Sequence, residues 1–178
     1  CAPINPPSGA RADFDGDGKT DLSVFRPSEG NWYLNRSTAG FTAINFGLSG
    51  DQLVPGDYDG DNKTDIAVRR GTTWYVINSG NSTVTAFQWG LSNDLSAQGD
   101  YDGDGKTDFA VFRPSNGTWY ALLSSNGSVV NIQFGTSGDK PVVGDYDGDG
   151  KDDQAVYRNG TWFLNRSTGG FAAVSFGL

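Results

Sequence analysis

The chain has 178 residues, enough for one domain with a sizeable core, and a formal net charge of −8. Histidine and methionine are absent and there is one cysteine, which excludes an internal disulfide and any Ser-His or Cys-His catalytic pair. Nothing basic points to nucleic acid, and no apolar run reaches membrane-spanning length.

The leader CAPINPPSG, residues 1–9, is rich in proline. Pro3, Pro6 and Pro7 remove backbone donors and hold the segment extended, so it reads as an arm outside the folded domain. Such an arm is expected to reach a membrane or another subunit. Cys1 followed by this arm resembles the layout of a mature bacterial lipoprotein, and membrane attachment is expected only if Cys1 is lipidated. A free thiol, an intermolecular disulfide or a fragment end are the plain alternatives for Cys1.

Residues 10–178 repeat a nine-residue acidic loop four times: DFDGDGKTD from Asp13, DYDGDNKTD from Asp57, DYDGDGKTD from Asp100 and DYDGDGKDD from Asp145. Positions 1, 3, 5 and 9 are aspartates in every copy: Asp13, Asp15, Asp17 and Asp21; Asp57, Asp59, Asp61 and Asp65; Asp100, Asp102, Asp104 and Asp108; Asp145, Asp147, Asp149 and Asp153. These make up most of the acidic residues, and Glu29 is the only glutamate. Carboxylates two apart on a tightly turning backbone converge and repel one another unless a cation joins them. Hard oxygen ligands in this number suit Ca²⁺, with the backbone carbonyl of position 7 (Lys19, Lys63, Lys106, Lys151) completing each set. Four Ca²⁺ ions would cancel the net charge of −8. At position 6, Asn62 stands where the other copies have Gly18, Gly105 and Gly150. Asparagine is the commonest non-glycine occupant of left-handed backbone, so the exchange keeps the turn's shape. The plain alternative is four acidic surface turns without metal.

The first aspartates of the loops lie 44, 43 and 45 residues apart, a period that signals a propeller or solenoid. Each unit holds four short β-like runs. In the third they are residues 96–99, 109–112, 118–122 and 129–134, separated by the acidic loop and two Asn-Gly turns. No helical period of sufficient length occurs, so the chain reads as all-β. Units are expected at about residues 10–47, 52–90, 95–135 and 140–177. The second run ends at Arg26, Arg70, Arg113 or Arg158. The third holds Trp32-Tyr33, Trp74-Tyr75, Trp119-Tyr120 or Trp162-Phe163. The fourth closes at Phe46-Gly47, Trp89-Gly90, Phe134-Gly135 or Phe176-Gly177, and the first three are followed by Asp51, Asp94 and Asp139.

These motifs, DxDGDGKTD, FRPSxGxWY and FGxxGD, resemble the FG-GAP or VCBS-type repeat. The resemblance covers about residues 12–178. It implies propeller blades of four antiparallel strands, with calcium in the loop between a blade's first and second strands. Four blades could close as a ring or form a partial ring completed by another chain. The family also implies an extracellular or cell-surface setting, which fits weak calcium sites served by millimolar external calcium.

The repeated aromatics weigh toward packing between blades, because adjacent strand residues point to opposite faces. The repeated arginines weigh toward a structural ion pair or a carbonyl cap near the aspartate loops. Seven Asn-x-Ser/Thr sites (Asn35, Asn62, Asn81, Asn116, Asn126, Asn159, Asn165) could carry glycans, Asn62 least readily because it sits inside a loop. Catalysis has little support, since the aspartates are claimed by metal. The sequence therefore points to an exported, calcium-stabilised binding or adhesion module for a protein or glycan ligand at the cell surface. The alternatives are a structural subunit that self-assembles through its arm and repeat ends, or the non-catalytic part of a larger secreted hydrolase.

Overall fold

A computed structural model describes residues 12–177. The proposed arm of residues 1–9, with Cys1, and the start of the first unit expected from about residue 10 lie outside the described residues. The described residues are all-β, and no helix is long and apolar enough to cross a membrane. Each repeat makes one antiparallel meander. The first comprises β1 (Leu22–Arg26), β2 (Asn31–Arg36) and β3 (Gly40–Asn45). The second comprises β4 (Gln52–Leu53), β5 (Ile66–Arg70), β6 (Thr73–Ile77) and β7 (Val84–Gln88). The third comprises β8 (Leu95–Ser96), β9 (Phe109–Arg113), β10 (Thr118–Leu122) and β11 (Val129–Gln133). The fourth comprises β12 (Lys140–Gly144), β13 (Asp153–Arg158), β14 (Thr161–Arg166) and β15 (Gly170–Ser175). This up-and-down order is that of propeller blades, and the acidic loops join the first and second strands of sheets two, three and four.

The turns explain the register. In the third sheet Gly117 N–H donates to the Arg113 carbonyl at 2.9 Å and closes the β9–β10 hairpin. Gly117 has φ +65°, and a Cβ there would lie 2.1 Å from the Gly135 carbonyl oxygen. Only glycine fits both demands. The Gly117 carbonyl then accepts from Phe134 N–H at 2.9 Å, which ties the end of the sheet to its hairpin.

The chain divides after Gln88 into two compact units. In the first, Trp32 and Leu34 of β2 pack with Phe14 against Ile66 and Val68 of β5. In the second, Phe112 of β9 and Trp119 of β10 pack with Ala97 against Val156 of β13. Strand alternation sends these residues to one face and their neighbours to the other. Cross-strand pairs reinforce them: Phe25 and Trp32 have ring centroids 5.4 Å apart, as do Phe112 and Trp119. Trp32, Trp74 and Trp119 are buried as the sequence predicts, whereas Trp162 and Trp89 are only half-buried. The Trp32 indole N–H donates to the Phe46 carbonyl at 2.9 Å and that of Trp119 to the Phe134 carbonyl at 2.7 Å. The polar edge of each ring is thereby satisfied inside the sheet.

Candidate metal centres

Position 1 of each loop shapes the turn. Asp13 accepts from Gly16 N–H at 2.7 Å and Gly18 N–H at 2.8 Å. Asp57 does the same with Gly60 and Asn62, Asp100 with Gly103 and Gly105, and Asp145 with Gly148 and Gly150. Each carboxylate is thus bonded to the amides of positions 4 and 6, and both positions have positive φ. Asn62 sits at φ +64°, close to the +83° to +89° of its glycine counterparts, so the exchange read in the sequence does keep the backbone.

Position 9 is a clip. Asp108 accepts from Tyr101 N–H at 2.9 Å, inside the loop, and from Ser124 N–H at 2.7 Å, at the end of β10. Asp21 joins Phe14 to Ser37, Asp65 joins Tyr58 to Ser79, and Asp153 joins Tyr146 to Ser167 in the same way. One buried carboxylate per repeat therefore fastens the acidic loop to the turn of the second hairpin.

That turn folds over the loop. In the first repeat Ser37 and Thr38 donate their hydroxyls to Asp17, and the amides of Thr38 and Ala39 donate to Asp15. In the fourth, Ser167 and Thr168 donate to Asp149, and the amides of Thr168 and Gly169 to Asp147. Ser79 caps Asp61 at 2.8 Å, and Ser124 caps Asp104 at 2.8 Å. These serines were not singled out from sequence. Their signal was present, since a serine opens the second hairpin turn of every repeat.

The carboxylates converge. Ligand oxygens of Asp13, Asp15 and Asp17 lie within 4.8 Å of one another, as do those of Asp57, Asp59 and Asp61. The same holds for Asp100, Asp102 and Asp108, and for Asp145, Asp147 and Asp153. Each group could hold a metal ion. Position 9 joins the close group in the third and fourth loops, and position 5 in the first and second. Of the position-7 lysines, Lys19 brings its ammonium to Asp17 at 3.1 Å.

Two observations favour a cation over a plain acidic turn. Asp15 Oδ1 and Asp147 Oδ1, both at position 3, are buried without a hydrogen-bond partner. An unmatched buried carboxylate oxygen is costly, and a cation would satisfy it. Burial also pushes the Asp108 carboxyl up to about 6, against the pull of the Ser124 and Tyr101 amides, with the charge of Asp102 adding to the rise. Asp57, Asp65 and Asp100 are raised too, burial again being the first cause. Asp17 and Asp149 are held low by the Ser37 and Ser167 hydroxyls first. A hydroxyl- and amide-lined cluster of oxygens, partly desolvated and mutually repelling, fits a hard divalent cation.

The arginines form structural ion pairs, but not at the acidic loops. Arg70 pairs with Asp51 at 2.7 Å, Arg113 with Asp94 at 2.9 Å, and Arg158 with Asp139 at 2.5 Å. Each pair is bidentate, through Nε and Nη2. The aspartate belongs to the FGxxGD turn that ends the preceding repeat, so each pair fastens consecutive repeats. The same guanidinium lies over the second aromatic of its own sheet: 5.1 Å from the Tyr75 ring centroid, 4.2 Å from Tyr120 and 4.8 Å from Phe163. Arg26 lies over Tyr33 at 4.7 Å but pairs with Glu29 at 3.0 Å.

Antiparallel blades, three-stranded among the described residues of the first repeat and four-stranded in the others, each with an acidic loop that could hold a metal ion, define a propeller protein built from acidic-loop repeats. The chain belongs to the FG-GAP-like repeat family, whose profile matches residues 13–68 and 100–156. No curated protein matches its sequence. Among solved structures the chain is similar to BBS1N in complex with ARL6DN, in crystals soaked with lead or with mercury. Both likenesses have 16% identity and a TM-score of 0.52; they cover 96% of this chain and 56% or 54% of the other. The likeness is one of fold, and the chain spans about half the length of these structures.

Proposed function

We propose that the chain is an exported, non-catalytic propeller module whose four acidic loops bind Ca²⁺ and which serves to bind a partner protein. The observation that carries the calcium assignment is the fourfold set of converging aspartates, with an orphaned position-3 oxygen in the first and fourth loops. The cation would be held by positions 1 and 3, with position 5 in the close group of the first and second loops and position 9 in that of the third and fourth, and by the position-7 carbonyl. When bound, it neutralises carboxylates that otherwise repel. Two features support a protein ligand. BBS1N, similar in fold, was crystallised with the protein ARL6DN. The repeated tryptophans, which a sugar-stacking platform would expose, are buried in three of four repeats. The chain has no histidine, and its loop aspartates are tied into turns, which supports a non-catalytic role.

Equilibrium dialysis against calcium followed by elemental analysis tests the assignment. About four Ca²⁺ per chain are expected. No bound calcium, or a transition metal held in preference, would refute it.

A further inference from the structure

Inside each unit, consecutive acidic loops are joined through one peptide bond. In the first unit the Thr64 amide, position 8 of the second loop, donates to the carbonyl of Asp13, position 1 of the first, at 2.6 Å. In the second unit the Asp152 amide donates to the Asp100 carbonyl, again at 2.6 Å. Each donating nitrogen belongs to the same peptide as the carbonyl of position 7, that of Lys63 or Lys151. These peptides are trans, and a planar trans peptide points its C=O opposite to its N–H. The N–H thus reaches the preceding loop, while the C=O, the proposed position-7 ligand, points away from it. The Lys63 and Lys151 amides donate to Asp61 and Asp149 of their own loops, each at 2.9 Å, which holds the lysine residue in place. At the other end, Asp13 and Asp100 carry both the accepting carbonyl and a carboxylate of the preceding close group. The lysine stems follow the same route. A Cβ on Gly16 would meet Lys63 Cγ at 2.9 Å, and one on Gly103 would meet Lys151 Cγ at 3.2 Å. Each stem therefore lies across position 4 of the preceding loop, whose amide is bonded to the position-1 carboxylate. In the second unit Asp152 adds a strut, since its carboxylate accepts from the Asp100 amide at 2.9 Å.

We infer that the two calcium sites within each unit fill cooperatively, each raising the affinity of the other through this shared peptide. The inference rests on the calcium reading of the loops proposed above. Charge on the position-7 carbonyl polarises the peptide and makes its N–H a stronger donor. The bond so strengthened holds the residue that supplies position 1 of the preceding site. The effect runs equally in reverse, because coupling between two binding sites is reciprocal. The pairs are the first loop with the second, and the third with the fourth.

Calcium titration followed by amide NMR reads each site separately. The Gly18, Asn62, Gly105 and Gly150 amides donate to the position-1 carboxylates of their own loops and so report them. In the wild type Gly18 and Asn62 should follow one curve steeper than a single-site isotherm, and so should Gly105 and Gly150. Asp59→Asn should empty the second loop. In about 1 M potassium chloride, where the screening length is about 3 Å, the Gly18 midpoint should then move to higher calcium by at least about fivefold. Asp15→Asn should move the Asn62 midpoint by the same factor. The Thr64 amide belongs to the second loop, yet in Asp59→Asn it should still shift together with Gly18, because its acceptor is the Asp13 carbonyl. Simple independent isotherms in the wild type would overturn the inference without any variant. So would an unmoved Gly18 midpoint in Asp59→Asn, or a Thr64 amide that ignores calcium at the first loop. Calcium-dependent shifts in none of the four loops would refute the calcium assignment itself, and this inference with it.

Discussion

At the residue scale the molecule depends on a few side chains that each do two things. Trp119 fills the second core and satisfies its own N–H on the Phe134 carbonyl. Trp119→Ala should destabilise the chain by about 3–5 kcal/mol, read from the urea unfolding midpoint. The tie between repeats rests on Asp51 and Asp139, whose carboxyls Arg70 and Arg158 hold below the ordinary value. A depressed folded pKa contributes stability above the unfolded pKa, roughly 3.9, and loses it as pH falls through the folded value. The two pairs should therefore lose their contribution between about pH 5 and pH 3, whereas the raised Asp57, Asp65, Asp100 and Asp108 change stability the other way and do so equally in wild type and variant. Asp51→Asn/Asp139→Asn should lose less over that interval, measured in chelator so that metal binding does not contribute. Equal slopes would show that the pairs are too well solvated to matter.

At the scale of the element, the acidic loop and the hairpin turn above it form one device. Its members differ in role. Asp104 accepts from the Ser124 hydroxyl and lies outside the close group of its loop, whereas Asp108 belongs to that group and also clips two backbone amides through a buried carboxylate. Asp104→Ala should lower the calcium count by about one and leave the stability of the chelated protein nearly unchanged. Asp108→Ala should lower stability both with calcium and in chelator, by about 1–3 kcal/mol, because two partly buried amides lose their acceptor. Thermal melts in both conditions distinguish the two. The aspartate spacing made this device legible in the sequence, as did the Asn62 exchange. The clip was not, because a carboxylate that ligates and one that anchors are written with the same letter.

At the scale of the whole molecule, calcium is the expected source of much of the stability. A ligand that binds only the folded state raises its stability by mass action, and four sites act together. Excess chelator should lower the melting temperature sharply, and restored calcium should recover it. An unchanged melt would make the metals incidental.

The sequence by itself determined the repeat, the all-β class, the blade of four short strands and the placing of the aspartates. Those features are local or periodic: a turn's φ demands, a period of two and a 43- to 45-residue spacing are all written along one dimension. Only the tertiary structure decided the rest. It assigned the repeated arginines to the FGxxGD aspartates, set the serine turn over each loop, and left Val24 exposed while its three copies are buried. The same letter in the same repeat position has a different environment because burial depends on the neighbouring sheet. Inside the first unit Val68 has that neighbour in the Trp32 face of the first sheet.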